Sequence, residues 1–235
     1  VCEFVTIRLV NITLNICMKK SLKRIILLGL ILFFGYLVYL NHLVKGTFSS
    51  EIQESKKITL IENSLEKYPT EMVNMLLLVE DQSFFQHLGV DFKEIARVFY
   101  GYLFKDKPIR GASTITQQLI KNSLLSSDKT LSRKIDEALM AMLMELNYDK
   151  NYILERYMNT VYLAQQGSMA VHGFASASQF YFGKRVEDLD LREMATLVAL
   201  LKGPSYYHPV KHPNRLNKRV DIILSMNNKY KKIIQ

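Results

Sequence analysis

One uninterrupted apolar run near the start of the chain constrains the fold more than any other feature. Residues 25–44 contain no Asp, Glu, Lys or Arg, and about 20 helical residues span the core of a bilayer. Only Lys45 follows the run closely, whereas four basic residues precede it: Lys19, Lys20, Lys23 and Arg24. This asymmetry predicts a transmembrane helix over 25–44, with residues 1–24 in the cytoplasm and the rest of the chain across the membrane.

Two alternatives to an uncleaved anchor are less favoured. A cleaved signal peptide would need a small-x-small site after the run, but the sequence there is NHLVKGTFSS, and the run is long for such a peptide. A buried core helix would not have its basic residues clustered on one side. Residues 1–17 are interpreted as upstream sequence, because Met18-Lys19-Lys20 is typical of a bacterial start.

Composition and charge narrow the class of the remaining chain. It has 10 Gly and 5 Pro, against roughly 28 of the two together at average usage, which predicts a mainly α fold. The net charge of +9 comes from the two ends, with +5 in residues 1–50 and +7 in 202–235, while the middle carries −3. A nucleic-acid binder spreads basic residues over its folded face, so this distribution instead points to a membrane surface.

Apolar periodicity predicts a series of amphipathic helices. The first ends at Glu80, after an apolar stripe of Met72, Met75, Leu76 and Val79. Thr114-x-x-Gln117 and Asp190-x-x-Glu193 are typical of capping boxes that open two of the later helices. The other predicted helices are Phe92–Leu103, Thr114–Leu125, Leu131–Leu146, Asn151–Leu163, Gly173–Phe182, a helix from Asp190 that stops at Gly203-Pro204, and Asn214–Lys229.

Two glutamates are candidates for chemistry. Glu80 closes an apolar stripe and precedes a polar turn, and an acid beside buried apolar surface suits general acid or base catalysis. Glu137 lies four residues after Arg133, so the two share a helix face. The plainer interpretations are a solvated helix-end Glu for the first and an ordinary ion pair, worth roughly 0.3–0.5 kcal/mol, for the second.

A group of cations accompanies the second glutamate. Its members are Arg110, Lys121, Arg133 and Lys134, a set that would suit a pyrophosphate. Ser113 and Thr114 begin the neighbouring helix, and a helix N-terminus binds anionic oxygens through its free N–H groups.

The order of the motifs is more specific than any one of them. EDQSFFQHLGVD (80–91), GASTITQQLIKN (111–122), RKIDE (133–137), ILERYMNTVYL (153–163) and FYFGK (180–184) occur in sequence. Together they resemble the peptidoglycan glycosyltransferase domain of glycosyltransferase family 51, over roughly residues 58–226. After NTVYL the chain departs from the family's Gly-rich pattern with AQQGS. Because no transpeptidase domain follows, the sequence most resembles the monofunctional transglycosylases, although a fragment of a bifunctional synthase is the alternative.

The resemblance implies a fold, a reaction and a location. We expect a lysozyme-like helical domain over 58–228, joined to the anchor by a connector over 45–57 and followed by a basic tail over 229–235. Members of the family polymerise lipid II into glycan strands at the outer face of the bacterial cytoplasmic membrane. The expected partners are therefore lipid II, the growing strand, the membrane and proteins of a wall-synthesis complex, with no nucleic acid.

The resemblance also implies roles for individual residues. Glu80 matches the catalytic base, and Glu137 matches a second glutamate on the pyrophosphate side, where a divalent cation (Mg²⁺ or Mn²⁺) is left open and no other cofactor is expected. The expected substrate-binding residues are Asp81, Phe84, His87, Ser113, Thr114, Gln117, Gln118, Lys121, Asn122, Arg133 and Lys134.

The sequence leaves two rival functions open. A lytic enzyme of the lysozyme type would act on the same sugars, but it needs no pyrophosphate site, so the cations disfavour it. A non-catalytic, membrane-anchored scaffold of wall synthesis is disfavoured because both glutamates are present.

Overall fold

The chain was described from a computed structural model, which covers residues 2–49, 63–106, 111–126, 128, 130–167 and 169–230. Arg110, most of the predicted connector and the end of the basic tail lie outside the described residues. The chain divides into two compact units, residues 1–43 and 44–235.

The first unit is helical throughout its described length, within α1 (Cys2–Phe48). Its stretch Lys19–Phe48, which includes the predicted span 25–44, is long and apolar enough to cross a membrane. No other helix in the described part of the chain meets that criterion. The criterion rests on length and composition alone, and a signal sequence also meets it.

The second unit contains the remaining regular elements. They are α2 (Thr70–Glu80), α3 (Phe92–Lys105), α4 (Ile115–Leu124), α5 (Leu131–Asn147), α6 (Lys150–Thr160), β1 (Tyr162–Gln166), β2 (Met169–His172), α7 (Phe174–Phe182), α8 (Leu191–Leu200) and α9 (Pro213–Lys229). The predicted mainly α class is confirmed. The predicted capping boxes at Thr114 and Asp190 are both present, with reciprocal hydrogen bonds at α4 and α8.

Two groups of helices build the core. Helix α2 packs against α8 and α9, whereas α4 packs against α5 and α6. Every residue of α2 from Met72 to Leu78 is buried, so this helix is enclosed on all sides over most of its length. Its last residue, Glu80, is therefore the point at which a buried helix reaches a more open surface.

The apolar stripe of α3 faces outward. Asp91 caps the helix by accepting the N–H of Glu94, and the helix continues two residues past the predicted end. Ile95, Phe99 and Leu103, which the periodicity placed on one face, are 42%, 61% and 53% exposed. Such a stripe normally packs on a core, so α3 leaves an unusually large apolar face uncovered in this chain.

The predicted helix over Asn151–Leu163 was too long. Helix α6 ends at Thr160, and Val161 has an extended backbone (φ −63°, ψ 136°). The chain then forms the antiparallel hairpin β1–β2, with Tyr162 opposite His172. Gly167 in the turn has φ +61°, a conformation that glycine adopts without strain. Residues 164–167, which begin the AQQGS segment that departs from the family pattern, belong to this hairpin.

Candidate active site

Glu80 is held by a side chain from another helix. It is partly buried at the end of α2, and its Oε2 accepts a hydrogen bond of 3.0 Å from Nε2 of Gln118 on α4. Glu80 forms no ion pair with any lysine or arginine in the described ranges. The contact with Gln118 therefore orients a carboxylate that still has room to accept a proton.

The turn after Glu80 is built from buried side chains. Phe84 is fully buried, and Asp81 is 7% exposed. Both carboxylate oxygens of Asp81 lie 3.0 Å from Nε2 of His87, and Oδ2 also accepts the backbone N–H of Ile115 at 3.0 Å. Asp81 thus joins the turn to the first residue of α4. The buried side chains of Asp81, Phe84 and His87 hold this turn in place next to Glu80.

The capping box of α4 is also buried. Thr114 and Gln117 are each 2% exposed, and each satisfies a backbone N–H of the other. The hydroxyl of Thr114 donates to the carbonyl oxygen of Gly89 at 2.6 Å. These two predicted substrate-binding residues therefore have little surface to offer a ligand, and they fix where α4 begins.

A cationic cluster lies at the start of α5. Glu137 is 1% exposed, and its Oε2 accepts a 2.8 Å hydrogen bond from Nη1 of Arg133. Its Oε1 is paired with Nζ of Lys134, which also donates to Oγ of Ser113 at 2.9 Å. We call Ser113, Arg133, Lys134 and Glu137 the α5 cluster. Two cations and one carboxylate leave it a net charge of +1.

Helix α4 connects the α5 cluster with Glu80. Ser113 stands just before its first turn, and Gln118 lies in its middle. Lys121 comes one turn after Gln118, so it shares that face. The side chains of Lys121 and its neighbour Asn122 are exposed and form no hydrogen bond or ion pair with other described residues. The helix N-terminus and Lys121 thus belong to α4, and α4 packs against α5, which carries Arg133 and Lys134.

A family model described as Transglycosylase matches residues 45–228. The chain belongs to the transglycosylase family. This confirms the resemblance predicted from the motifs, and the mainly helical architecture agrees with the fold expected of that family.

Curated relatives agree with this assignment. Penicillin-binding protein 1B of Haemophilus influenzae is 41% identical over 169 residues, which cover 72% of this chain and 22% of that protein. The proteins of the same name from Vibrio cholerae and Escherichia coli are 44% and 42% identical, over 68% of this chain in each case. The chain spans about a fifth of the length of these relatives.

The acidic residue of this transglycosylase's α5 cluster does not fit a divalent cation. Both oxygens of Glu137 already face cationic nitrogens, and a metal ion there would lie beside Arg133 and Lys134. No group of three or more His, Cys, Asp or Glu side chains that could hold a metal ion occurs among the described residues. We therefore derive no step of the reaction through a metal.

Sequence reasoning missed a lysine that contacts the turn after Glu80 in the candidate site. Nζ of Lys150 donates to the carbonyl oxygen of His87 at 2.8 Å and to Oε1 of Glu145 at 2.7 Å. It also lies 4.4 Å from the ring centre of Phe84. Lys150 is the first residue of α6, and nothing in its local sequence indicates that it reaches a turn 63 residues earlier.

A second missed residue is Tyr157 on α6. Its hydroxyl donates to Oε1 of Gln118 at 3.0 Å, and Gln118 is the residue that holds Glu80. In the sequence Tyr157 is one member of an apolar stripe with Ile153, Leu154 and Met158. A buried tyrosine usually finds a hydrogen-bond partner, but its spacing does not tell which one.

A separate surface cavity of about 400 Å³ lies at the start of α9. None of the predicted site residues lines it, so it is distinct from the arrangement around Glu80. The residues that line it are Lys211, His212, Pro213, Asn214, Arg215 and Lys218.

Gly89 is the glycine on which the turn after Glu80 most depends. It has φ +81°, and a Cβ there would stand 2.5 Å from the carbonyl oxygen of Ala141. We expect Gly89→Ala to lower the free energy of unfolding by about 2–4 kcal/mol, from the unfavourable φ together with the clash. Chemical denaturation of the purified chain measures this loss.

Gly183→Ala is the matched control for this substitution. Gly183 has φ +64°, but a Cβ there meets nothing within 4 Å. Gly183→Ala should therefore lower the free energy of unfolding only by the cost of the unfavourable φ, about 1–2 kcal/mol. Equal losses for the two variants would show that Ala141 moves away without cost, and the proposed tight contact would be wrong.

Proposed function

We propose that the chain polymerises peptidoglycan glycan strands from lipid II. In this reaction the strand carried on undecaprenyl pyrophosphate is transferred to the 4-hydroxyl of the GlcNAc of an incoming lipid II. The support comes from membership of the transglycosylase family together with one structural observation. Glu80, which forms no ion pair with any described residue, and the cationic α5 cluster both contact α4 or the residues that begin it.

The separation of Glu80 from the α5 cluster suits the two halves of this reaction. A base works poorly when cations surround it, because they favour its unprotonated form. A departing pyrophosphate, in contrast, needs fixed positive charge where negative charge develops. Two hydrogen bonds connect α4 and its start with the proposed base and the cations. Gln118 donates to Glu80, and Ser113 accepts from Lys134.

The proposed step follows from these positions. Glu80 takes the proton of the acceptor 4-hydroxyl while that oxygen attacks C1 of the donor MurNAc. The bond from C1 to the pyrophosphate oxygen breaks, and undecaprenyl pyrophosphate leaves toward Arg133, Lys134 and Lys121. Attack opposite the leaving group inverts the configuration at C1, so an α-linked donor yields a β-1,4 product.

The buried residues predicted to bind substrate have a supporting role in this proposal. Asp81, His87 and Phe84 hold the turn that carries Glu80 against the start of α4. Thr114 and Gln117 set the orientation of the same helix end. The side chains with surface available for substrate are Ser113, Gln118, Lys121, Asn122, Arg133 and Lys134.

A membrane location supports a lipid-linked substrate. Helix α1 contains an apolar stretch of sufficient length, and the basic residues before it favour a cytoplasmic N-terminus. The catalytic unit would then act at the outer face of the cytoplasmic membrane. The exposed apolar side chains of α3 are suited to contact lipid chains. Such a contact would place the candidate active site near the membrane surface, where the pyrophosphate of a lipid-linked substrate lies.

The test is incubation of the full chain, in detergent, with labelled lipid II. We expect polymeric glycan whose new β-1,4 bonds a muramidase cleaves to give disaccharide units, with one undecaprenyl pyrophosphate released for each bond formed. A parallel incubation with preformed, lipid-free glycan should leave that glycan intact. Cleavage of the preformed glycan without polymer would establish the lytic alternative, and no reaction in either incubation would favour the scaffold.

A further inference from the structure

Three helices contribute to a chain of hydrogen bonds that ends at Glu80. The hydroxyl of Tyr157 on α6 donates to Oε1 of Gln118 on α4, and Nε2 of Gln118 donates to Oε2 of Glu80 on α2. Both contacts are 3.0 Å. Tyr157 is 1% exposed, so its hydroxyl has no access to bulk water and its hydrogen bond is made within the protein.

The donor and acceptor roles in this series of hydrogen bonds are set by the buried hydroxyl of Tyr157. Burial, and secondly the nearby charge of Glu80, raise the pKa of Tyr157 well above its ordinary value. The hydroxyl therefore stays protonated at every pH at which the protein works, and it remains able to donate. A side-chain amide has one donor end and one acceptor end, so an oxygen turned toward Tyr157 leaves the NH₂ group turned toward Glu80.

We infer that Tyr157 is a positioning residue, which acts through Gln118 to keep the NH₂ group of that amide on Glu80 and so maintains Glu80 as an unprotonated base. Only the kinetic consequences of this inference rest on the proposed function. Tyr157 does not touch the substrate in this account, since Gln118 stands between it and the reacting carboxylate.

The alternative orientation of the amide explains why the hydroxyl matters. If Gln118 turns over, its oxygen faces Glu80 and repels an ionised carboxylate, but it accepts a hydrogen bond from a protonated one. In Tyr157→Phe the side-chain oxygen of Gln118 loses this donor. That oxygen regains a donor from the site itself when the amide turns over and Glu80 is protonated. Loss of one hydroxyl therefore favours the protonated form of the base.

Few other titratable groups compete for Glu80. Asp81, the next residue, is paired with His87. No lysine, arginine or histidine in the described parts of α4, α6, α8 and α9 forms a hydrogen bond or ion pair with Glu80. Among the described side chains, the amide of Gln118 is thus the hydrogen-bond partner of Glu80, and Tyr157 contacts that amide from its other end.

Tyr68, which precedes α2, provides a matched control because its hydrogen-bond partner lies on α6. Its buried hydroxyl donates to Oδ1 of Asn159 at 2.7 Å, and Asn159 lies two residues after Tyr157 on α6. Tyr68→Phe removes the same atoms from a similar environment, but its contact does not lead to Glu80. A general loosening of α6 should follow from either variant, whereas a change at Glu80 should follow from Tyr157→Phe alone.

The first measurement needs no substrate and therefore does not depend on the proposed function. Carboxyl ¹³C signals of the full chain, labelled at glutamate, are followed against pH, and the signal absent from Glu80→Gln identifies Glu80. We expect Tyr157→Phe to move the titration midpoint of Glu80 upward by roughly half a unit to one unit, and Tyr68→Phe to leave it in place. An unchanged midpoint in Tyr157→Phe, or equal shifts in both variants, would overturn the inference.

A second variant covers the case in which Tyr157→Phe does not fold. Gln118→Met leaves the tyrosine intact but removes the amide, so it must also raise the midpoint of Glu80. When Tyr157→Phe is added to Gln118→Met, no further shift is expected, because the tyrosine acts only through the amide. Additive shifts would show that Tyr157 acts by another route and would contradict the inference.

Kinetics supply a readout that a purely structural residue would not change. In lipid II polymerisation, Tyr157→Phe should lower kcat roughly 3–10-fold on the acid side of the pH profile, with KM and the rate at high pH close to those of the wild type. A uniform loss across all pH values would indicate a structural role. If the wild type does not polymerise lipid II at all, the proposed function fails while the titration still decides the role of Tyr157.

Discussion

Glu80→Gln should lower the rate of lipid II polymerisation by about 10²–10⁴-fold, the range typical of the loss of a general base. The substitution is nearly isosteric, and the oxygen of the new amide can still accept the hydrogen bond that Gln118 donates to Glu80. What disappears is the ability to take a proton from the acceptor hydroxyl. The initial rate of polymer formation, measured at saturating lipid II, reports this loss directly.

The same variant should bind the lipid-linked donor normally. Glu80 forms no ion pair in the described chain, and the proposed pyrophosphate contacts come from the α5 cluster and Lys121. The dissociation constant for donor lipid should therefore stay within about twofold of that of the wild type, because only an interaction made in the transition state has been removed. The acidic limb of the pH profile should also vanish from the residual activity.

Glu187→Gln is the control for the loss of one carboxylate. Glu187 is exposed in the 3₁₀ turn Val186–Asp188, and its side chain forms no hydrogen bond with any described residue. Its substitution should leave the rate unchanged. If Glu80→Gln retained the activity of this control, Glu80 would not be the base, and the mechanism proposed for α2 and α4 would have to be abandoned.

The parts of the site that local sequence determines were predictable. Thr114 and Gln117 form a capping box because the two ends of that motif lie within one turn, so spacing alone specifies the contact. Arg133 and Glu137 meet for the same reason, four residues apart on one helix. Periodicity also predicts the end of α2 at Glu80, because the apolar stripe that the helix buries ends there.

The contacts that join distant segments could not be predicted from spacing. Asp81 reaches the N–H of Ile115 across 34 residues, and Tyr157 reaches Gln118 across 39. Each depends on how two separate elements pack against each other, which no local pattern encodes. The outward-facing stripe of α3 illustrates the same limit, because periodicity shows that a helix has an apolar face but not what covers it.

The hairpin β1–β2 shows a different kind of limit. Its sequence from Tyr162 to Gln166 continues the composition of α6 without a Gly or Pro, so no local signal marked the change at Thr160. The pairing of Tyr162 with His172 becomes favourable only when both strands are present. Gly173 then takes the chain close past the end of α6. A Cβ added at this glycine would stand 2.4 Å from the carbonyl oxygen of Asn159.

Glu137→Gln should impair both stability and polymerisation, because the carboxylate holds two cations side by side. Glu137 is 1% exposed, and Arg133 and Lys134 engage its two oxygens. Loss of its charge raises the net charge of the α5 cluster from +1 to +2. Breaking a fully buried pair costs about 3–5 kcal/mol. The side chain of Lys134 is 43% exposed, so solvent screens part of that penalty, and we expect a loss of about 1–3 kcal/mol by chemical denaturation.

Glu94→Gln is the matched control for this loss. Glu94 pairs with Arg97 three residues later, but both side chains lie at the surface, with exposures of 38% and 76%. Exposed pairs of this kind contribute at most about 1 kcal/mol. Equal losses of stability in the two variants would show that burial adds nothing to the pairing of Glu137.

A double variant separates the structural role of Glu137 from the role of the cations it holds. Glu137→Gln combined with Lys134→Gln returns the α5 cluster to a net charge of +1, so most of the lost stability should be regained. Polymerisation should remain at least about 10²-fold below the wild type, because a fixed donor aimed at the leaving pyrophosphate is missing. Recovery of activity together with stability would mean that Lys134 does not contact the pyrophosphate and that the α5 cluster serves folding alone.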